Sequence, residues 1–326
     1  MTSVARDEIF RSQIEPHRRA ITAHCYRMLG SFQDAEEVAQ ESLLRGWQRL
    51  AELRDANAIK GWLYRVATNA CLDLLKHRRR RRTQAHLVAP AADPEQSLGP
   101  PDNEHLWIEP APDWLFEVPA DASQGPEIRA TMREHVGLAF VTALQLLPPK
   151  QRAALLLVDA LDWTPHEAAN LLKTTEASIY SRLQRARKAL ESSADLPSAT
   201  DHDDEIVKRY VAIWESGNFD AFTELLAEDA IMSMPPQPEW FKGKTAIRRF
   251  LENIRSSQGR AFRFLPTRAN GSPAVAIYSQ ADEASVYRSR GITVFLLRED
   301  GAVSQVTRFI GSHFVRRFGL PEQLSV

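Results

Sequence analysis

The chain is short of cysteine, long apolar runs and net charge, and each shortage closes off a class of protein. Its 326 residues hold only two cysteines, Cys25 and Cys71. Two thiols so far apart make neither a disulfide framework nor a zinc site, and their apolar, helical-looking surroundings suit buried free cysteine. No apolar stretch approaches the ~18–20 residues that cross a bilayer. Residues 1–10 lack the apolar segment of a secretory signal. No membrane partner, metal or cofactor is therefore expected, and the cytoplasm is the expected compartment. The length points to two or three domains.

The net charge of −1 conceals an asymmetry. Residues 1–82 carry 16 basic against 10 acidic side chains, and residues 83–135 carry 2 against 10. Residues 150–190 are basic again, 7 against 4, and residues 201–326 balance at 16 of each. Basic segments suit a polyanion such as DNA, although solvated helix faces give the same counts.

Periodicity divides the chain into four parts with boundaries at 8–82, 83–127, 128–192 and 201–326. The first reads as helices over 8–29, 32–50 and 57–80, broken at Gly30-Ser31 and near Asp55-Ala56-Asn57. The second holds eight prolines with acids between them and reads as a linker. Its clusters Leu106-Trp107-Ile108 and Trp114-Leu115-Phe116 are too apolar for an inert spacer, so docking is expected. Helices resume at 128–147, 150–161, 165–172 and 176–192. The last part begins with helices at 203–216, 219–227 and 244–256. Strands follow near 262–268, 273–280, 286–298 and 302–310, an α+β pattern.

The strongest local signal is a helix-turn-helix over 163–190. Thr164-Pro165-His166-Glu167 is a capping box with proline at the first helical position. Lys173-Thr174-Thr175 makes a tight turn in which a threonine can cap the next helix. In that helix Ile179, Leu183, Ala186 and Leu190 form a buried stripe. Ser178, Arg182 and Arg185 share another face, with Ser181 beside it, which fits a recognition helix in a major groove. A plain helical hairpin with a basic face is the alternative.

Trp163 to Leu190 resembles region 4 of the extracytoplasmic-function sigma factors of the sigma-70 family. Tyr26-Arg27-Met28-Leu29-Gly30-Ser31 with Asp34-Ala35-Glu36-Glu37-Val38-Ala39-Gln40-Glu41 resembles their region 2. Gly61-Trp62-Leu63-Tyr64-Arg65-Val66-Ala67-Thr68-Asn69-Ala70-Cys71-Leu72-Asp73 resembles the promoter-melting part of that region. Residues 201–326 resemble the SnoaL-like branch of the NTF2 cone fold, and Trp107-Ile108-Glu109-Pro110 in the linker leans toward the SigG-like rather than the SigJ-like group. The resemblance implies a multidomain fold: two all-α sigma domains, a region 2 bundle and a region 4 helix-turn-helix, followed by an α+β cone. It implies an alternative sigma factor that directs core RNA polymerase to promoters and has no enzymatic activity of its own. Its partners would be promoter DNA, the β′ clamp helices and β flap of the polymerase, and a small-molecule ligand in the cone.

Residue by residue, the resemblance implies polymerase contact through Asp34, Glu37, Val38 and Glu41. Spacing places Asp34, Glu37 and Glu41 on one acidic helix face, which a plain solvated face also explains. For the −10 element it implies Arg65, Asn69 and Asp73, spaced as an outward ladder, followed by Lys76, Arg78 and Arg79 against phosphates. For the −35 element it implies Glu176, Ser178, Ser181, Arg182 and Arg185. By analogy the acidic linker threads the polymerase channels, with a free tether as the alternative. Trp214, Trp240, Phe241, Phe262, Phe264, Tyr278 and Phe295 are expected in the core or lining of the cone. Asp229, Glu239 and His313 are its titratable candidates, without an assigned catalytic role. A free-standing helix-turn-helix regulator leaves the 26–73 motifs unexplained. A SnoaL-type enzyme requires convergent acid and base groups.

Overall fold

A computed structural model describes residues 8–325 except 9, 50–55, 79–81, 88, 103, 117–136, 192–202, 217, 259–260 and 281–285. Arg79, the start of the helix expected at 128–147, and the joint at 192–202 lie outside the described residues. The chain divides into two compact units: Met1–Arg82, Trp114–Pro119 and Phe140–Asp195, and Thr83–Asp113, Ala120–Ala139 and Leu196–Val326.

In the first unit the helix expected over 8–29 is broken. A π turn (Phe10–Ile14) and a 3-10 turn (Glu15–His17) precede α1 (Arg18–Leu29), because Pro16 supplies no N–H to a continuous ladder. Gly30 ends α1 in the left-handed conformation, φ 67, with its N–H on Tyr26 O at 2.8 Å. Ser31 then caps α2 (Phe32–Gln48) by accepting from the Asp34 N–H at 3.2 Å. On α3 (Ala56–His77) the buried residues are Ile59, Leu63, Tyr64, Ala67, Thr68 and Cys71. Val66, Ala70 and Leu74 are only half-buried, because α3 is covered by both α1 and α2 and buries two residues per turn.

His24 sits in this core with a ring nitrogen 2.8 Å from Thr68 Oγ1. Burial, reinforced by the Arg27 charge, pushes its pKa down to about 3. The unfolded chain therefore binds a proton below pH 6.5 that the folded chain refuses. Stability from this residue is complete above that value and declines as pH falls toward 3. Wild type should lose ~2 kcal/mol more than His24→Gln between pH 7.5 and 5. Parallel urea-midpoint slopes for the two proteins would show that His24 is not the sensor.

Helices α4 (Leu138–Leu146) and α5 (Pro149–Leu155, running into a π turn, Leu156–Ala160) meet at Pro148-Pro149. The prolines stop α4 and donate no N–H to its last carbonyls. Arg152, 2% exposed, supplies the missing donors: Nη2 reaches Gln145 O at 3.0 Å and Leu147 O at 3.1 Å, and Nη1 reaches Gln145 Oε1 and Met28 O. Gln145 donates in turn to Arg27 O at 3.1 Å. One arginine–glutamine pair thus satisfies the ends of both α1 and α4. Trp114 and Phe116 dock in the same unit, edge-on to Phe32 at 5.9 Å and beside Tyr26 at 5.8 Å.

In the second unit α8 (Asp203–Ser216), α9 (Phe219–Leu225) and α10 (Lys244–Gln258) accompany a 7-stranded sheet among the described residues. The strands are β1 (Leu226–Ser233), β2 (Trp240–Lys242), β3 (Phe262–Ala269), β4 (Ser272–Gln280), β5 (Val286–Leu297), β6 (Val303–Ile310) and β7 (Gln323–Ser325). Their order is β2-β1-β6-β5-β4-β3, with β7 on β5; only the β1–β6 pair is parallel. The strands expected from 262 onward are present. The helix expected at 219–227 stops at Leu225, and β1, β2, β7 and the helix Ser312–Arg317 were not foreseen. A strand like β1 is held by a partner some 75 residues away along the chain, and local periodicity does not carry that pairing. At the β4–β5 bulge Gly291 has φ 145, and a Cβ there would lie 2.0 Å from Phe309 O.

The acidic linker is no free tether over its described part. Its 84–113 stretch lies along this second unit. Ala92 N–H donates to Trp240 O at 2.8 Å, Asp102 N–H to Pro236 O at 2.9 Å, and Gly99 N–H to Glu239 Oε1 at 2.7 Å. Trp240 Nε1 donates to Ala89 O at 2.7 Å, and Ala85, Trp107 and Trp240 form a separate apolar cluster. Asn270 exchanges hydrogen bonds with Ala111, and Asp113 accepts from Arg268 and from the Gly271 N–H. Chain that would carry unsatisfied backbone groups in isolation finds partners here.

Candidate polymerase and promoter surfaces

On α2 the exposed face holds Glu36, Glu37, Gln40, Glu41 and Leu44, with Val38 half-buried. Asp34 does not belong to it. It is 9% exposed and clamped by Arg78 (2.6 and 2.8 Å) and Arg82 (2.7 Å). Burial raises its pKa, but the hydrogen bonds and charges of the two arginines outweigh this and hold it at about 2. The i, i+3, i+7 spacing gave no warning, because the arginines arrive from the far end of α3. Arg78 is correspondingly not a free phosphate contact. Leu44, 46% exposed, was missed; its signal was an apolar residue three positions beyond Glu41 on the acidic face.

On α3, Arg65, Asn69, Asp73 and Lys76 are all exposed. The outward ladder read from the sequence is present, clear of the buried stripe.

The helix-turn-helix is built as its sequence suggested. Thr164 and Glu167 close a capping box at the start of α6 (Pro165–Leu171). Lys173 takes the left-handed conformation in the turn, φ 49. Thr175 Oγ1 then accepts from the Ser178 N–H at 3.2 Å at the start of α7 (Glu176–Glu191). Ile179, Leu183 and Ala186 are buried and Leu190 is half-buried. Arg185 is exposed, while Ser178, Ser181 and Arg182 are half-buried. Glu176 is exposed and meets His166 Nδ1 at 2.8 Å. Tyr180, 58% exposed on this helix, is not among the residues expected from the sequence. Arg187 is engaged by Asp159 at 3.0 and 2.7 Å.

Three families match in chain order: sigma-70 region 2 over residues 13–81, sigma-70 region 4 over 137–190, and a SnoaL-like domain over 207–306. The chain is 39% identical over 322 residues to the ECF RNA polymerase sigma factor SigG of Mycobacterium tuberculosis, covering 97% of this chain and 85% of that one. The chain belongs to the extracytoplasmic-function sigma factors. As a sigma factor it directs promoter recognition and transcription initiation with RNA polymerase. It is also 29% identical to SigJ of the same organism over 224 residues, 67% of this chain and 62% of that one. The crystal structure of that SigJ superposes with a TM-score of 0.59 at 22% identity, covering 95% of this chain and 99% of that one. The lean toward the SigG-like group is borne out.

In the C-terminal domain of this sigma factor, Trp214, Phe241 and Phe295 are buried in the main core, with Phe262 and Phe264 packed partly exposed against it. Trp240 belongs to the cluster with Ala85 and Trp107, and the buried Tyr278 donates its hydroxyl to Pro321 O at 2.8 Å. Asp229, Glu239 and His313 do not form one constellation. Asp229 pairs with Arg298 at 2.6 Å on the surface, Glu239 accepts from the linker, and His313 is exposed beside Phe314. No helix among the described residues is long and apolar enough to cross a membrane.

Proposed function

We propose that this sigma factor engages the β′ clamp helices of core polymerase through Glu37, Val38 and Glu41, joined by Leu44. Arg65, Asn69, Asp73 and Lys76 read and open the −10 element, and Ser178, Ser181, Arg182 and Arg185 read the −35 element, with region 4 also meeting the β flap. The work takes place in the cytoplasm. The carrying observation is the exposure pattern: polar residues on α2 and α3 stand outward, and on α7 Arg185 is exposed beside the half-buried Ser178, Ser181 and Arg182, while Ile179, Leu183 and Ala186 are buried. An acidic face with one apolar residue suits a basic helical partner. The exposed arginine, amide and carboxylate groups suit bases and phosphates.

The C-terminal domain acts as a regulator by holding the linker. A linker whose backbone is hydrogen-bonded along the cone is not available to thread a polymerase channel, so its release would favour the transcribing state.

Run-off transcription and core-binding titration on single substitutions test the surfaces. Glu37→Lys should weaken core binding about tenfold without loss of fold. Asn69→Ala should cut open-complex yield while sparing core binding. Arg185→Ala should weaken promoter binding by ~1–3 kcal/mol and relax one −35 position. Variants indistinguishable from wild type in all three assays would mean that the surfaces are misassigned.

A further inference from the structure

The residue least at home in the C-terminal domain is Arg308. It lies on β6, an interior strand, with Val306 and Ile310 two positions away on either side. Val306 belongs to the main core, and Ile310 packs against it. Side chains two apart share a face of a strand, so Arg308 leaves the sheet on the apolar side. Its partner across the ladder on β5 is Thr293, flanked at two positions by the buried Phe295. A guanidinium has been put on a face that is otherwise mainly hydrocarbon.

Among the described residues the half-buried Arg308 side chain makes no ion pair or hydrogen bond, and its Nε is sealed from solvent without a partner. The fully buried Thr293 likewise has no hydrogen bond of good geometry on Oγ1, although it lies close to the Tyr210 hydroxyl. Burial lowers the Arg308 pKa, Tyr210 partly offsets this, and the nearby positive charge of Arg290 lowers it further. Arg290 is exposed and donates from Nε to Ser279 Oγ at 2.6 Å. Two arginines thus lie close enough to repel, without a carboxylate between them among the described residues. The walls here are apolar: Tyr210 packs edge-on to Phe264 at 5.8 Å and to Phe295 at 4.8 Å. Phe262, Phe264 and Ile310 remain only partly covered, so the apolar face is not filled by the described residues.

A half-buried, unpaired cation against an apolar face destabilises a domain, and a valine or leucine at this strand position would avoid that cost. What compensates is an anion supplied from outside. The guanidinium fork matches a carboxylate bidentately, and the partly covered phenylalanines accept an apolar body.

We infer that the apolar face of the C-terminal domain binds a small organic carboxylate, with the carboxylate on the half-buried Arg308, Arg290 near the entrance, and an apolar tail against the partly covered Phe262, Phe264 and Ile310. This site deepens the regulatory reading of the domain, since Ala92 and Leu98 of the linker pack against the same core cluster.

The test uses the full-length protein without polymerase, so that its failure is separate from that of the linker reading. Octanoate and phenylpropanoate are titrated against their primary amides by calorimetry and thermal melting, with inorganic phosphate as a third arm. Binding of an acid at least ~10-fold tighter than its amide, lost in Arg308→Met and partly kept in Arg308→Lys, supports the site. Without ligand, Arg308→Met should melt at a higher temperature than wild type, because an unpaired, half-buried charge has been removed from an apolar face. Four results overturn the inference: no binding at millimolar concentration, equal binding of acid and amide, phosphate binding as strong as the acids, or unchanged acid binding by a folded Arg308→Met. A lower melting temperature for Arg308→Met without ligand also overturns it, by showing that the arginine stabilises the empty domain.

Discussion

Replacing Arg152 with alanine should destabilise the sigma unit by roughly 4 kcal/mol, one of the two largest effects expected in the protein. The side chain is buried and reaches four acceptors: Met28 O, Gln145 O, Gln145 Oε1 and Leu147 O. Removing it leaves those oxygens dry. Each unsatisfied buried acceptor costs about 1–3 kcal/mol, less whatever water recovers by entering the gap. Backbone rearrangement offers no substitute, because Pro148 and Pro149 have no N–H to turn back onto the end of α4. Gly30 cannot be bulked to fill the space either, since a Cβ there would lie 2.9 Å from the Gln145 side chain. Arg152→Lys should recover part of the loss, because an ammonium provides three donors without the planar fork. Urea unfolding followed by far-UV circular dichroism gives the midpoints. A shift of Arg152→Ala by less than ~1 kcal/mol would show that the network is ornamental to stability.

The second large effect falls on the linker. Trp107 is 8% exposed, packs with Ala85 and Trp240, and donates from Nε1 to Asp102 O at 3.2 Å. Trp107→Ala should remove about 3 kcal/mol, a typical cost for a buried tryptophan. The loss should be local, because the main core of the domain, around Tyr210, Phe222 and Phe295, does not include Trp107. Limited proteolysis should then cut within residues 84–113 while the C-terminal domain stays resistant. On the regulatory reading, run-off transcription at fixed core polymerase should rise severalfold. A variant that becomes protease-sensitive yet transcribes like wild type would remove the linker from the control mechanism while leaving its docking intact. A variant that stays resistant would mean that the remaining bonds, Ala92 to Trp240 and Asp113 to Arg268 among them, hold the linker without the tryptophan.

The sequence by itself determined whatever rests on neighbours within one or two helical turns. The capping box at Thr164, the threonine cap before Ser178, the turn at Gly30-Ser31 and the outward ladder Arg65, Asn69, Asp73 are all local, and periodicity reports local geometry faithfully. The family was legible for the same reason, since its motifs are short contiguous runs. The apolar clusters of the linker also announced that they would dock. Only the tertiary structure decided which groups remain free to act. Asp34 looked like its neighbours Glu37 and Glu41 until Arg78 and Arg82, more than forty residues away, closed on it. Trp240 looked like cone lining until the linker came to lie on it. Arg308 looked like one more surface cation in a charge-balanced segment until its strand took an interior place in the sheet. A charged side chain acts according to its partners and its access to water, and here those are set by segments that meet only when the chain folds.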